Sequence, residues 1–171
     1  IFVLHIPSKI VLKTIKIDGE KIEQLEFDLE SKYIIAATLS GRVLQYRYDG
    51  SSLLGRLYSF DKQKNGKQNK ATVFAFNKNI IACGSNNGVI FSINLHSRAN
   101  KVIIQNDNSK INSICFLDAD NIITADERGN LHFNSLKDTK LIKKIETGFT
   151  QVSQILIMPN SNYLLVLGNE R

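Results

Sequence analysis

Three stretches of this chain read alike: "ATLSGRVLQY" from Ala37, "ACGSNNGVIF" from Ala82 and "TADERGNLHF" from Thr124. Each is an apolar run, a short polar turn closing on glycine, and a second apolar run. The turn glycines are Gly41, Gly88 and Gly129, separated by 47 and then 41 residues. An internal period of this size constrains the fold more than any compositional figure. Each copy is one supersecondary unit that cannot bury its hydrophobic face alone and must stack on its neighbours. A polar turn with Gly or Asn-Gly between two β-rich runs is a hairpin signal, because Gly and Asn tolerate positive φ.

Each hairpin has an apolar strand ahead of it: "IEQLEF" from Ile22, "TVFAF" from Thr72 and "INSICF" from Ile111. These end at one phase, on Phe27, Phe76 and Phe116. Each hairpin also has a strand behind it: "LLGRLYSF", "KVIIQ" and "KLIKKI". Four short strands in roughly 40–45 residues is the arithmetic of a β-propeller blade. A further copy opens with strands at Val152 to Ile157 and Tyr163 to Leu167. At the other end, Ile1 to Leu4 and Ile10 to Ile15 match a third and a fourth strand. The expected division is therefore residues 1–20 as the third and fourth strands of one blade, residues 21–60, 71–108 and 110–147 as complete blades, and residues 151–171 as the first and second strands of the next. That makes sixteen strands. No segment holds apolar residues at helical spacing over three turns, so almost no α-helix is expected.

Blades that pack face to face bury both faces of their inner strands. Such strands read as continuous apolar runs, as "YIIAA" and "YLLVL" do, with small residues (Ala36, Ala37, Ala82, Cys83, Ala125) where sheets approach. Outer strands read differently. "KIVLKTIKI" and "KLIKKI" place Lys along a β-rich run, a device against edge-to-edge pairing.

These repeats resemble those of the WD40 family. Gly84-Ser85-Asn86-Asn87-Gly88 fits the family's Gly-Ser-x-x-Gly turn, and the leading strands end in Phe as the family's do. The chain departs from the signature in three ways. It contains no Trp. The Trp-Asp positions hold Tyr46-Arg47, Ile93-Asn94 and Asn134-Ser135, and no Gly-His pair precedes a leading strand. The family's Asp-His-Ser/Thr-Trp hydrogen-bond network is therefore not expected. The resemblance implies an all-β propeller of four-stranded antiparallel blades and a non-enzymatic protein–protein interaction scaffold. Rings of that family usually have about seven blades, so the resemblance favours this chain being part of a larger propeller; a closed four-bladed ring and pairing of the ends with a second copy of the chain are the alternatives. Either end ribbon alone would be marginal in water and would expose an apolar edge.

Candidate chemistry is sparse. Cys83 and Cys115 have no metal-type spacing and sit in apolar runs, as buried thiols do. His5 and His132 fall on third strands of different blades, while His96 stands apart. No H-x-x-H, C-x-x-C or H-E-x-x-H occurs, and a zinc site needs three or four ligands in fixed geometry. Asp118, Asp120, Asp126 and Glu127 read as turn carboxylates, a role Asp fills by bonding nearby amides. Nucleotide-binding and serine-hydrolase motifs are absent. No catalytic residue, metal ligand or cofactor site is assigned.

One segment breaks the rhythm. "DKQKNGKQNK" from Asp61 carries Lys62, Lys64, Lys67 and Lys70 against one Asp, and it lies between two blades. The formal net charge is +6, which favours association with acidic partners. These four lysines form the candidate partner-binding loop, and the expected partner is a protein with an acidic surface. Nucleic acid is disfavoured, because no aromatic is interleaved for stacking on bases. No apolar run approaches the roughly 20 residues that span a bilayer. The start at Ile1, without a basic leader or small-residue cleavage site, reads as a chain cut from something longer. Compartment, cytoplasmic or periplasmic, is left open. A narrower expectation is an accessory or assembly protein of a bacterial respiratory reductase. The alternative is a cofactor-binding propeller of quinoprotein type, against which the missing Trp counts.

Overall fold

The computed structural model describes residues 1–17, 19, 21–27, 32–38, 42–47, 53–59, 70–78, 80–94, 97 and 100–170. Among these there is no helix and there are sixteen β-strands. Five antiparallel sheets follow in chain order. β1 (Phe2–His5) and β2 (Ile10–Thr14) form a two-stranded ribbon. β3 (Ile22–Phe27), β4 (Tyr33–Thr38), β5 (Arg42–Arg47) and β6 (Leu53–Ser59) form a meander, the first blade. The second blade has β7 (Ala71–Asn77), β8 (Ile80–Ser85), β9 (Val89–Asn94) and β10 (Asn100–Gln105). The third has β11 (Ile111–Phe116), β12 (Asn121–Asp126), β13 (Asn130–Ser135) and β14 (Lys140–Glu146). β15 (Gln151–Ile157) and β16 (Leu164–Asn169) make the last ribbon.

Register makes the repeat quantitative. Phe27, Phe76 and Phe116 each pair with the same Ile of the next strand: Ile34, Ile81 and Ile122. Those in turn face Tyr46, Ile93 and Asn134. Every first strand carries a one-residue irregularity near its start, where the ladder skips Glu23, Thr72, Asn112 and Ser153. Such a bulge leaves one residue unpaired and bends the strand. In the second and third blades the freed side chain reaches the neighbouring sheet. The Thr72 hydroxyl donates to the Ile111 carbonyl at 2.7 Å, and Asn112 Nδ2 donates to the Val152 carbonyl at 2.9 Å.

The core lies between the sheets rather than inside one. Alternate residues of each second strand point to opposite neighbours, as the period of two requires. Ile34 and Ala36 pack with Ile15, Leu44 and Tyr46 towards the β1–β2 ribbon, while Ile35 joins Phe74, Ile81, Cys83 and Phe91 in the next layer. Ala82 and Ile90 meet Ile111, Ile114 and Ile122. Ile123 and Ala125 meet Val152 and Ile155. Small residues on the inner strands allow this approach. A methyl group on Gly84 would sit 2.7 Å from Ile111 Cγ2. The outer strand β14 is exposed along most of its length, as its lysines led one to expect.

Candidate functional site

Gly88 and Gly129 close equivalent turns for two reasons. Their φ values, +79° and +81°, are ones L side chains rarely adopt, and a Cβ would run into the carbonyl oxygens of Asn106 and Phe149. The linker leaving each outer strand lies directly over the turn glycine. The Asn106 amide donates to the Gly88 carbonyl (2.8 Å), and the Thr147 amide to the Gly129 carbonyl (3.0 Å). Gly41 lies outside the described residues.

A second clamp holds the start of each first strand to the same turn. Lys70 and Asn86 exchange two bonds: the Asn86 amide donates to the Lys70 carbonyl at 3.0 Å, and the Lys70 amide to Asn86 Oδ1 at 2.8 Å. Lys110 and Glu127 repeat this one blade on, at 2.9 Å and 3.1 Å. Between the two clamps lies a cleft of about 280 Å³, edged by Lys70, Asn86 and Lys110 and walled by Thr72 and Asn112. Of the four expected partner-binding lysines, Lys70 is placed here, half-buried at the strand entry. Lys62, Lys64 and Lys67 lie outside the described residues.

The third blade holds a polar cluster on the face turned towards the second. Asp126 is 2% exposed and His132 1%. His132 Nε2 donates to Asp126 Oδ2 at 3.2 Å, and the other Asp126 oxygen accepts the Arg128 and Asn130 amides at 2.9 Å and 2.8 Å. Asn130 Nδ2 adds a bond of 3.1 Å to Oδ2. Burial opposes the charge on Asp126, but the bond from His132 and those from Asn130 and Arg128 outweigh it and hold the carboxyl at about 2. Beside this pair, the Thr124 hydroxyl oxygen accepts from Asn106 Nδ2 (3.3 Å) and Asn134 Nδ2 (3.5 Å). Asn134 Nδ2 also donates to the His132 carbonyl at 3.1 Å.

This cluster extends one expectation and corrects another. Asp126 does accept the nearby Arg128 and Asn130 amides as a turn carboxylate should, but it also ends β12, is buried, and bonds to His132. A hydrogen-bond network also occupies the position where loss of the Trp-Asp signature suggested none. It uses Thr124 on the second strand, Asp126 at the turn and Asn134 in the place of Trp, with His132 on the third strand and Asn106 from the linker. The pair is hidden in the sequence because the turn glycines align between blades while the residues flanking them differ. The signal was a carboxylate and an imidazole six apart across a hairpin, at positions where the second blade has Ser85 and Phe91.

The remaining candidates are dispersed. His5 and His132 share a strand type but not a register, since the turns Ile6–Lys9 and Leu136–Thr139 match and set His5 beside Ser135. His5 Nδ1 lies 2.7 Å from Ser8 Oγ, as the Asp138 amide bonds Ser135 Oγ at 3.0 Å. His96 lies outside the described residues. Asp118 does act as a turn carboxylate, accepting the Asp120 and Asn121 amides at 2.8 Å and 2.9 Å. Cys83 and Cys115 are free thiols. Burial raises both, Cys115 to about 11, so neither has thiolate character at neutral pH. Among the described residues no group of three or more His, Cys, Asp or Glu could hold a metal ion, and no helix is long and apolar enough to cross a membrane.

No family model matches the sequence, and no curated protein does. Solved structures do match. A chain of a mitotic checkpoint complex superposes with a TM-score of 0.81 at 14% identity, over 98% of this chain and 50% of that one. The WD40 repeats of RRP9 give 0.72 at 9% identity, over 84% of this chain and 44% of that one. The computationally designed protein Ika4 gives 0.69 at 14% identity, over 92% of this chain and 97% of that one. The repeats are therefore WD40-like in fold, and the architecture is that of an antiparallel β-propeller. This chain spans about half the length of the first of these structures.

Proposed function

We propose that this chain serves a non-enzymatic protein–protein interaction scaffold, and that its partner presents an acidic surface to Lys62, Lys64, Lys67 and Lys70. The observation that carries this reading is the seating of Lys70. It is clamped to the Asn86 turn and lines a cleft that Lys110 also lines, which puts a lysine of the basic stretch on a cation-edged surface. Propeller architecture supports it in general, since blades packed by their faces leave rims and turns for docking.

We also take residues 1–171 to be a segment of a larger propeller, with residues 1–20 and 151–171 contributing half-blades. Both ribbons expose large apolar side chains, among them Phe2 (67%), Leu4 (58%) and Leu167 (61%). Isolated ribbons of this kind are unfavourable in water.

The test is affinity capture of the native protein from its own cells, at low and at moderate salt, beside a variant in which residues 62–70 are replaced by a short Gly-Ser link. The reading expects a captured protein that is lost with the replacement while the far-UV spectrum is unchanged. A respiratory reductase subunit among the captured proteins would support the narrower accessory role. Capture that ignores the replacement would reject the loop as the docking element, and thermal stabilisation by pyrroloquinoline quinone would favour a cofactor-binding propeller. The intact mass of the native protein, measured alongside, decides the segment reading.

A further inference from the structure

The residue before each complete blade's first strand is a lysine: Lys21 before Ile22, Lys70 before Ala71 and Lys110 before Ile111. Ladder register makes these one structural position. Ile22, Ala71 and Ile111 pair with Thr38, Ser85 and Asp126, and each is followed by the skipped residue. For two of the three, the backbone clamps to Asn86 and Glu127 fix where the side chain leaves the fold. Lys70 and Lys110 then line the same cleft, each from its own clamp.

We propose that this inter-blade cleft is a receptor for a carboxylate side chain of an acidic peptide segment, held between the Lys70 and Lys110 ammonium groups. This rests on the scaffold reading above and gives its partner a site outside the basic loop. Among the described residues neither ammonium lies within ion-pair distance of a carboxylate. The nearest carboxylate on these clamps, that of Glu127, is turned to the Lys110 amide at 3.1 Å. Below the rim the lining is Ala71, Val73 and Ile111, which suits the methylenes of a glutamate. Thr72 and Asn112 are committed to inter-blade bonds, which makes the walls part of the packed structure. Two cations over a short apolar floor, without an aromatic ring, match a peptide carboxylate better than a stacked base.

The experiment titrates the purified protein with a fluorescein-labelled oligoglutamate peptide, read by anisotropy at low and moderate salt. Amide shifts of Thr72, Asn86 and Ile111 are followed in parallel. Lys110→Gln and Lys70→Gln should each weaken binding about fivefold, the effect of removing one near-surface Coulombic contact. Glu127→Gln, which keeps the acceptor for the Lys110 amide, should tighten it. Lys143→Gln, on the outer strand β14, should leave it unchanged. Equal losses in Lys110→Gln and Lys143→Gln would overturn the site in favour of diffuse charge attraction, and so would tighter binding of a thymidine oligonucleotide than of the peptide. Because Lys110 lies outside residues 62–70, partner capture lost on loop replacement but indifferent to Lys110→Gln would sink this inference and leave the scaffold reading standing.

Discussion

The second and third blades solve one packing problem in opposite ways. Their second and third strands superpose residue for residue at an offset of 41, which sets Cys83, Ser85, Phe91 and Ile93 against Thr124, Asp126, His132 and Asn134. In the second blade Cys83, Phe91 and Ile93 join Ile35 and Val43 of the first in an apolar layer, with the buried Ser85 hydroxyl beside it. In the third the same face holds a hydrogen-bonded carboxylate–imidazole pair and three polar side chains, nearly all out of solvent. The first blade sides with the second, placing Ala36, Thr38, Leu44 and Tyr46 there. The repeat thus specifies a shape, and either dispersion contacts or a connected hydrogen-bond network can fill it. The two differ in how they fail. An apolar layer loses stability in proportion to the atoms removed. A buried network leaves the surviving partners unsatisfied.

The sharpest way to break the comparison is Asp126→Ala. It strands His132, the Asn130 side chain and two amides, and should cost about 3–5 kcal/mol, since each buried partner left unsatisfied costs about 1–3 kcal/mol. Ser85→Ala, at the same position in the second blade, should cost about 1 kcal/mol. Urea unfolding of both variants checks this, and equal losses would show that the Asp126 network contributes nothing special. The same pair sets a pH dependence. Asp126 titrates near 2 in the folded chain, below the ordinary carboxylate value of 3.8. A depressed folded value means the contribution is present above about pH 4 and is lost as pH falls towards 2. Asp126→Asn should flatten that part of the acid limb of a stability–pH curve.

Next in size is the turn itself. Gly129→Ala combines a strained φ with a collision against the Phe149 carbonyl, and about 2–4 kcal/mol is expected. Gly148→Ala, at φ +84° with nothing within 4 Å of the added methyl, isolates the backbone term at about 1 kcal/mol. The difference between the two thermal midpoints measures the collision alone.

Smaller still is the effect of converting one blade's filling into the other's. Replacing Thr124, Asp126, His132 and Asn134 together by Cys, Ser, Phe and Ile, with Asn106→Leu to avoid an orphaned amide, should change stability by no more than about 1–2 kcal/mol, in either direction. Exchanging a whole buried polar cluster for apolar residues of similar volume is often neutral. A collapse of the multiple variant to the level of Asp126→Ala would show that the two fillings are not interchangeable.

That exchange also explains what could be read in the sequence. Strand number and order were legible because they rest on local rules: period-two apolar runs separated by turn residues that accept positive φ. Even the two ribbons were placed to within two residues at each strand end. The polar cluster was not legible, because Asp126 and Asn130 look like ordinary turn residues and His132 like an isolated histidine. Only the ladder, which brings Thr124 opposite His132 and Ile122 opposite Asn134, joins them. Asn106 was further out of reach, since it enters from a linker 18 residues before Thr124 in the chain. The strand-entry lysines lay between these cases. Lys21, Lys70 and Lys110 are visible as residues, but their equivalence follows from the bulge that resets each first strand.

The smallest effect is expected where the third blade meets the second at its surface. Lys144 Nζ lies 2.6 Å from Asp107 Oδ2, close enough for a strong charge-assisted bond. Its hydrogen bond to Lys144 lowers the Asp107 carboxyl, and the same bond raises the Lys144 ammonium. Yet Asp107 is 50% exposed and Lys144 35%, so water and salt screen the attraction that burial would preserve. Exposed pairs of this kind contribute about 0–1 kcal/mol. Lys144→Met, which keeps the aliphatic stem and removes the charge, should therefore cost no more than about 0.5 kcal/mol, and less again at 1 M salt. Urea midpoints at two ionic strengths test this. A salt-insensitive loss of 2 kcal/mol or more would mean that Asp107 and Lys144 belong to the buried network through Asn106, and the contrast between the two blades would then extend from their interior to their rim.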